Sequence, residues 1–119
     1  MTHWHAYSYT GHQRPPDRDA RDPLSPTPPL VIAEWLAKPR TMLAGTYTDP
    51  AAAIGWLEQE VTATPPLPTA LPPDVMIEHA RVRIEETPGD QVTRYYTHGS
   101  YVCRDLVRCP PDARCPHRP

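Results

Sequence analysis

Residues 91–109, QVTRYYTHGSYVCRDLVRC, leave few alternatives to a β-hairpin. Two runs rich in Val, Tyr, Thr and Leu are broken once, at His98-Gly99, where glycine takes positive φ without steric cost. A two-residue loop at that break sets Tyr96 opposite Tyr101, Arg94 opposite Cys103 and Val92 opposite Asp105. The two tyrosines then form an aromatic cross-strand pair, a contact that fixes register. Arg94 and Asp105 lie diagonally on one face, within reach of each other. The rest of the chain has to cover this ribbon.

A chain of 119 residues supports one domain with a single modest core. We expect that domain over residues 1–109, with an irregular tail at 110–119. No apolar run approaches the length of a membrane span. The start, MTHWHAYSYTGH, has neither the basic opening nor the apolar centre of a secretory signal, so a cytoplasmic location is expected. Eighteen prolines, no phenylalanine and a single lysine, Lys38, point to a GC-rich genome rather than to a chemistry. Arginine in place of lysine carries correspondingly less meaning. Charge is polarised: residues 49–90 hold eight carboxylates against two arginines, a balance of −6, and residues 91–119 hold five arginines against two aspartates, +3. The halves can pair internally or offer a basic edge to an acidic partner. That edge is too weak for a nucleic-acid footprint.

Along the chain, residues 3–10 (HWHAYSYT) read as a strand, with Trp4, Ala6 and Ser8 on one face and His3, His5, Tyr7 and Tyr9 on the other. Residues 13–29 carry six prolines among alternating Arg and Asp, and are expected to form a solvated, disordered Pro-rich loop. Residues 30–37 suit a short helix, with Glu34 and Lys38 as an exposed pair and Pro39 as its stop. Residues 41–47 read as a second strand, in which Gly45 allows a bulge or close approach. Asp49-Pro50 is a cap followed by a first helical residue. The helix it opens should run to about Thr62 and bury Ile54, Leu57 and Val61, with Trp56 half-covered at its flank. Residues 64–73 (TPPLPTALPP) form a stiff connector that contains a short proline motif of the kind proline-reading domains bind. Residues 74–86 give a second helix burying Met76, Ile77, Ala80 and Ile84, and Thr87-Pro88-Gly89-Asp90 turns the chain into the hairpin.

Thiolates and imidazoles are the usual soft metal ligands. Cys109, Cys115 and His117 form the candidate metal set in the tail. Cys103 in the hairpin and His3-x-His5 on one strand face are further donors, and three or four of these suffice for a tetrahedral zinc site. Against zinc stands the spacing, because no two cysteines lie two to four residues apart. A Cys109–Cys115 disulfide is sterically conceivable, though a reducing compartment opposes it. No G-x-S-x-G, phosphate loop, H-E-x-x-H or G-x-G-x-x-G is present, and His98 at the turn is not expected to meet Cys103 along the same ribbon, so no catalytic residue is assigned. Arg94, Tyr95, Tyr96, Tyr101 and Arg104 gather aromatic and guanidinium groups on the hairpin. With Trp56, they are the candidate partner-binding set, since Tyr and Arg are enriched where proteins meet. The same groups can stack on single-stranded bases.

The string TRYYTHGSYVCRDLVRCP, with GTYTDPAAAIGWLEQE before it, resembles small uncharacterised proteins of high-GC actinomycetes such as Streptomyces. The likeness covers about half the chain and brings no activity or site residue. Some such proteins belong to integrated plasmids or phages, which implies a mobile-element context. The expected fold is α+β: about four mainly antiparallel strands with a C-terminal β-hairpin, and two to three helices packed on one face. The expected function is non-enzymatic protein–protein contact by a small cytoplasmic protein. A zinc-stabilised module and a single-stranded nucleic-acid binder are the alternatives.

Overall fold

The computed structural model describes residues 2–109 and residue 115. In chain order it runs β1 (His3–Gly11), α1 (Asp17–Arg21), two 3-10 turns (Ile32–Ala37 and Arg40–Met42), β2 (Leu43–Tyr47), α2 (Pro50–Ala63), α3 (Pro73–Arg81), β3 (Arg94–Tyr96) and β4 (Tyr101–Cys109). The strands form one antiparallel sheet in the order β2-β1-β4-β3. The fold is α+β, as expected.

The hairpin takes the expected register. Tyr96 faces Tyr101 and Arg94 faces Cys103, and an isolated bridge between Gln91 and Leu106 carries the same register onward. Gly99 has φ 93°, the one positive value among the described residues, and Thr97 N donates to Ser100 O across the turn at 2.8 Å. The ring centroids of Tyr96 and Tyr101 lie 5.0 Å apart. β3 is nevertheless short. At Thr93 the backbone N–H leaves the ladder and donates to the Asp105 carboxylate instead, at 3.0 Å.

One face of the sheet is apolar. Trp4 and Ala6 of β1, Tyr95 of β3, and Val102 and Leu106 of β4 pack against Ile54, Leu57 and Val61 of α2 and Met76, Ile77 and Ala80 of α3. Asp49 caps α2 by accepting from Ala51 N at 3.1 Å, and Pro50 occupies its first turn. α3 runs on through a single π turn at Val82–Glu86, which keeps Ile84 buried. Its end is tied to the sheet by Trp4 Nε1 donating to Gly89 O at 3.0 Å and by Arg108 N donating to Asp90 Oδ1 at 2.7 Å. The Pro-rich connector docks on the β3 edge, where Leu67 N donates to Tyr96 O at 3.0 Å.

The opposite face differs from expectation in two places. Residues 30–37 do not join α2 and α3. They form the 3-10 turn Ile32–Ala37 and bury Trp35 against Tyr7, Met42 and Val107. The tighter turn swings Lys38 away from Glu34, and the residue is buried rather than exposed. Lys38 Nζ donates to the carbonyls of Asp19 (3.0 Å), Asp22 (2.8 Å) and Ser25 (3.2 Å). Residues 13–29, expected to be disordered, therefore follow a defined path with a helical turn and a buried Ala20. A charged donor satisfying three carbonyls adds to the ordering that burial of Ala20, Pro28 and Pro29 supplies. At β2, Gly45 sits beside the expected bulge, where pairing steps from Ala6↔Gly45 to Tyr7↔Leu43.

Candidate metal centre

Two elementary regularities build the site. Alternation along β1 puts His3 and His5 on the same face, and antiparallel pairing with β4 sets Cys109 directly opposite His3. Cys115 completes the group. The ligand atoms of His3, His5, Cys109 and Cys115 all lie within 4.8 Å of one another. His3 Nε2 and His5 Nε2 are 3.2 Å apart, and Cys115 Sγ is 3.0 Å from His5 Nε2 and 3.5 Å from His3 Nε2. A tetrahedral zinc ion with ordinary zinc–nitrogen and zinc–sulfur bonds sets its ligand atoms about 3.3–3.8 Å apart. The separations among His3 Nε2, His5 Nε2 and Cys115 Sγ fall within or somewhat below that range, and Cys109 Sγ lies within 4.8 Å of all three. Two sulfurs and two imidazole nitrogens are also the donor set of closed structural zinc sites.

The surroundings orient the donors. His5 is fully buried, and its Nδ1 stands 3.0 Å from the hydroxyl of Thr46, its cross-strand neighbour on β2. That contact holds the ring with Nε2 toward the site, the outer-shell arrangement that metal-ligating histidines use. The two imidazoles meet edge to face, with centroids 4.7 Å apart. Next along β1, Tyr7 stacks on Trp35 at 4.7 Å and walls the site with apolar rings. Burial, and after it the neighbouring Cys115 and Cys109, hold the Tyr7 phenol above its ordinary range, so it stays protonated. Burial likewise raises the Cys109 thiol, and Cys115 beside it raises it further. A divalent cation between the sulfurs reverses that balance and favours both thiolates.

Of the sequence-derived metal set, Cys109 and Cys115 come together, and His117 lies outside the described residues. The imidazoles are supplied by His3 and His5, more than a hundred residues away in the chain. Cys103 takes no part. It is fully buried nearer the hairpin turn, its thiol pushed up to about 12 by burial and by Asp105.

The partner-binding candidates are divided by the sheet. Tyr95 is buried in the helix-side core, with its hydroxyl donating to Thr64 O at 2.5 Å. Arg104 is buried as well. It pairs with Glu60 of α2 at 3.1 Å and donates to Tyr9 O at 2.9 Å. Tyr101 is buried on the other face, where Arg94 is bound to Asp105 by two contacts, of 2.8 and 3.2 Å. Tyr96 remains 49% exposed and Trp56 half-buried. The period-2 alternation of strands already separates Tyr95 and Arg104 from Tyr96 and Tyr101, and that signal was available in the sequence.

Asp105 was not among the candidate site residues, although its pairing with Arg94 was legible. It is fully buried and accepts from Trp35 Nε1 at 2.8 Å, Thr93 N at 3.0 Å and Arg94. No family model, curated protein or solved structure matches the chain. No helix among the described residues is long and apolar enough to cross a membrane.

Proposed function

We propose that the protein is a zinc-stapled α+β module, in which one metal ion bound by His3, His5, Cys109 and Cys115 fastens Cys115 to the end of the β1–β4 pair. The supporting observation is the convergence of four soft donors within 4.8 Å, on a buried and oriented histidine. Four protein ligands close the coordination shell and leave no position for a reacting water, so the ion acts structurally. Elemental analysis of protein purified without chelator tests this: one zinc per chain is expected, with loss of that zinc in His5→Ala. A chain free of stoichiometric metal under those conditions refutes it.

A second reading, protein contact, draws on a narrower surface than the sequence suggested. Leu71, Val92 and Tyr96 are exposed around a cleft of about 430 Å³ between the Pro-rich connector, α3 and β3. A partner recovered by the native protein and lost with Tyr96→Ala supports this reading, and recovery unaffected by that substitution removes it.

A further inference from the structure

The two sulfurs of the metal centre are not equivalent. Cys109 is 1% exposed on the central strand β4, whereas Cys115 is half-buried and reaches solvent. Their Sγ atoms lie within 4.8 Å of each other, and Cys115 itself lies in no helix or strand. A disulfide sets its sulfurs about 2.05 Å apart, so closing them requires residue 115 to approach Cys109. The remaining cysteine, Cys103, is fully buried and six residues from Cys109 along the same strand. At the rise of an antiparallel strand that is about 20 Å, too far to compete.

We propose that Cys115 and Cys109 form an oxidation site for hydroperoxides, at which the metal-bound thiolates become a disulfide and the ion is released. This rests on the metal-centre reading above. The Cys115 thiolate attacks the terminal peroxide oxygen. The O–O bond breaks, and hydroxide leaves to be protonated by solvent. Cys115 is then a sulfenic acid. The Cys109 thiolate attacks its sulfur, forming the S–S bond and expelling a second hydroxide. The two thiolates lose two electrons, one hydrogen peroxide becomes two waters, and two protons come from solvent. Two imidazoles alone do not make a tetrahedral site, so zinc leaves. Exposure fixes the order of events, because susceptibility follows access to the sulfur. Cys115 is oxidised first and Cys109 resolves it.

The test uses the full chain as purified with its metal. Hydrogen peroxide is added while a chromogenic chelator reports free zinc, and the cysteines are then mapped by mass spectrometry after alkylation in denaturant. The expected result is one zinc released per Cys109–Cys115 disulfide, with Cys103 alkylated as a free thiol, and full rebinding of zinc after reduction. In Cys109→Ser, a dimedone adduct should accumulate on Cys115. Zinc retained under peroxide, or released with Cys103 in the disulfide, overturns the oxidation site and leaves the zinc centre standing. Should that variant fold poorly, the wild-type zinc release and cysteine map decide alone. A chain purified without zinc instead removes the metal centre itself, and the oxidation site with it.

Discussion

The two faces of the sheet are held by different physics. On the helix side, side chains from α2 and α3 interdigitate with Trp4, Ala6, Val102 and Leu106, and burial of apolar area does the work. On the other side no long helix is present among the described residues. A stacked Tyr7–Trp35 pair, a buried carboxylate at Asp105, an ammonium at Lys38 and four metal-type donors take its place. Apolar packing tolerates a volume-conserving change and is indifferent to chain order. The polar face depends on individual atoms meeting, so one missing partner strands the others.

The largest expected effect falls on the polar face. Asp105→Ala strands the Arg94 guanidinium, the Trp35 indole N–H and the Thr93 amide, and should cost about 3–5 kcal/mol in denaturant unfolding. A loss below about 1 kcal/mol, the range of solvent-exposed pairs, would show that this network is not what holds the face. Leu57→Ala, fully buried on the helix side, should cost about 3 kcal/mol while leaving metal affinity unchanged. A coincident fall in metal affinity would mean that the two faces are coupled rather than independent. Thr46→Val keeps the side-chain shape and removes the hydroxyl beside His5. It should weaken metal binding about 10–100-fold in a competition titration, with little change in the stability of the metal-free chain. Equal destabilisation of both forms would reduce Thr46 to a strand residue. The smallest effect is expected at Asp49→Ala, which deletes the α2 cap for about 1 kcal/mol and should not move the metal titration.

The same contrast explains what could be read from the chain before its fold was known. The cap at Asp49, the Ile54–Leu57–Val61 stripe and the hairpin about Gly99 are encoded within a few residues of themselves, and each was legible. The pairing of Arg94 with Asp105 followed from the hairpin register alone. The metal centre was legible only as a set of donors. His3 and His5 shared a strand face and Cys109 and Cys115 were marked as ligands, but nothing local says that β1 pairs with β4 in the register that places His3 opposite Cys109. Without that pairing the sequence offers His3, His5 and Cys103 only as further donors beside Cys109, Cys115 and His117. Lys38 was misread for a related reason. The four-residue spacing to Glu34 assumes an α-helical turn, and the 3-10 turn sends the ammonium to the carbonyls of residues 19, 22 and 25 instead. Strand alternation divides the Tyr/Arg ribbon between two faces, burying Tyr95 and Arg104 on the helix side and Tyr101 on the other while Tyr96 stays exposed.

Cobalt(II) titration of the reduced, metal-free chain reports the coordination at the polar face most directly, because d–d bands give geometry and sulfur charge-transfer bands count thiolates. Saturation at one equivalent is the predicted outcome, with a tetrahedral spectrum of two sulfurs and two nitrogens that His3→Ala and Cys115→Ser each degrade. An octahedral spectrum without sulfur bands, or one that both substitutions leave untouched, would contradict it.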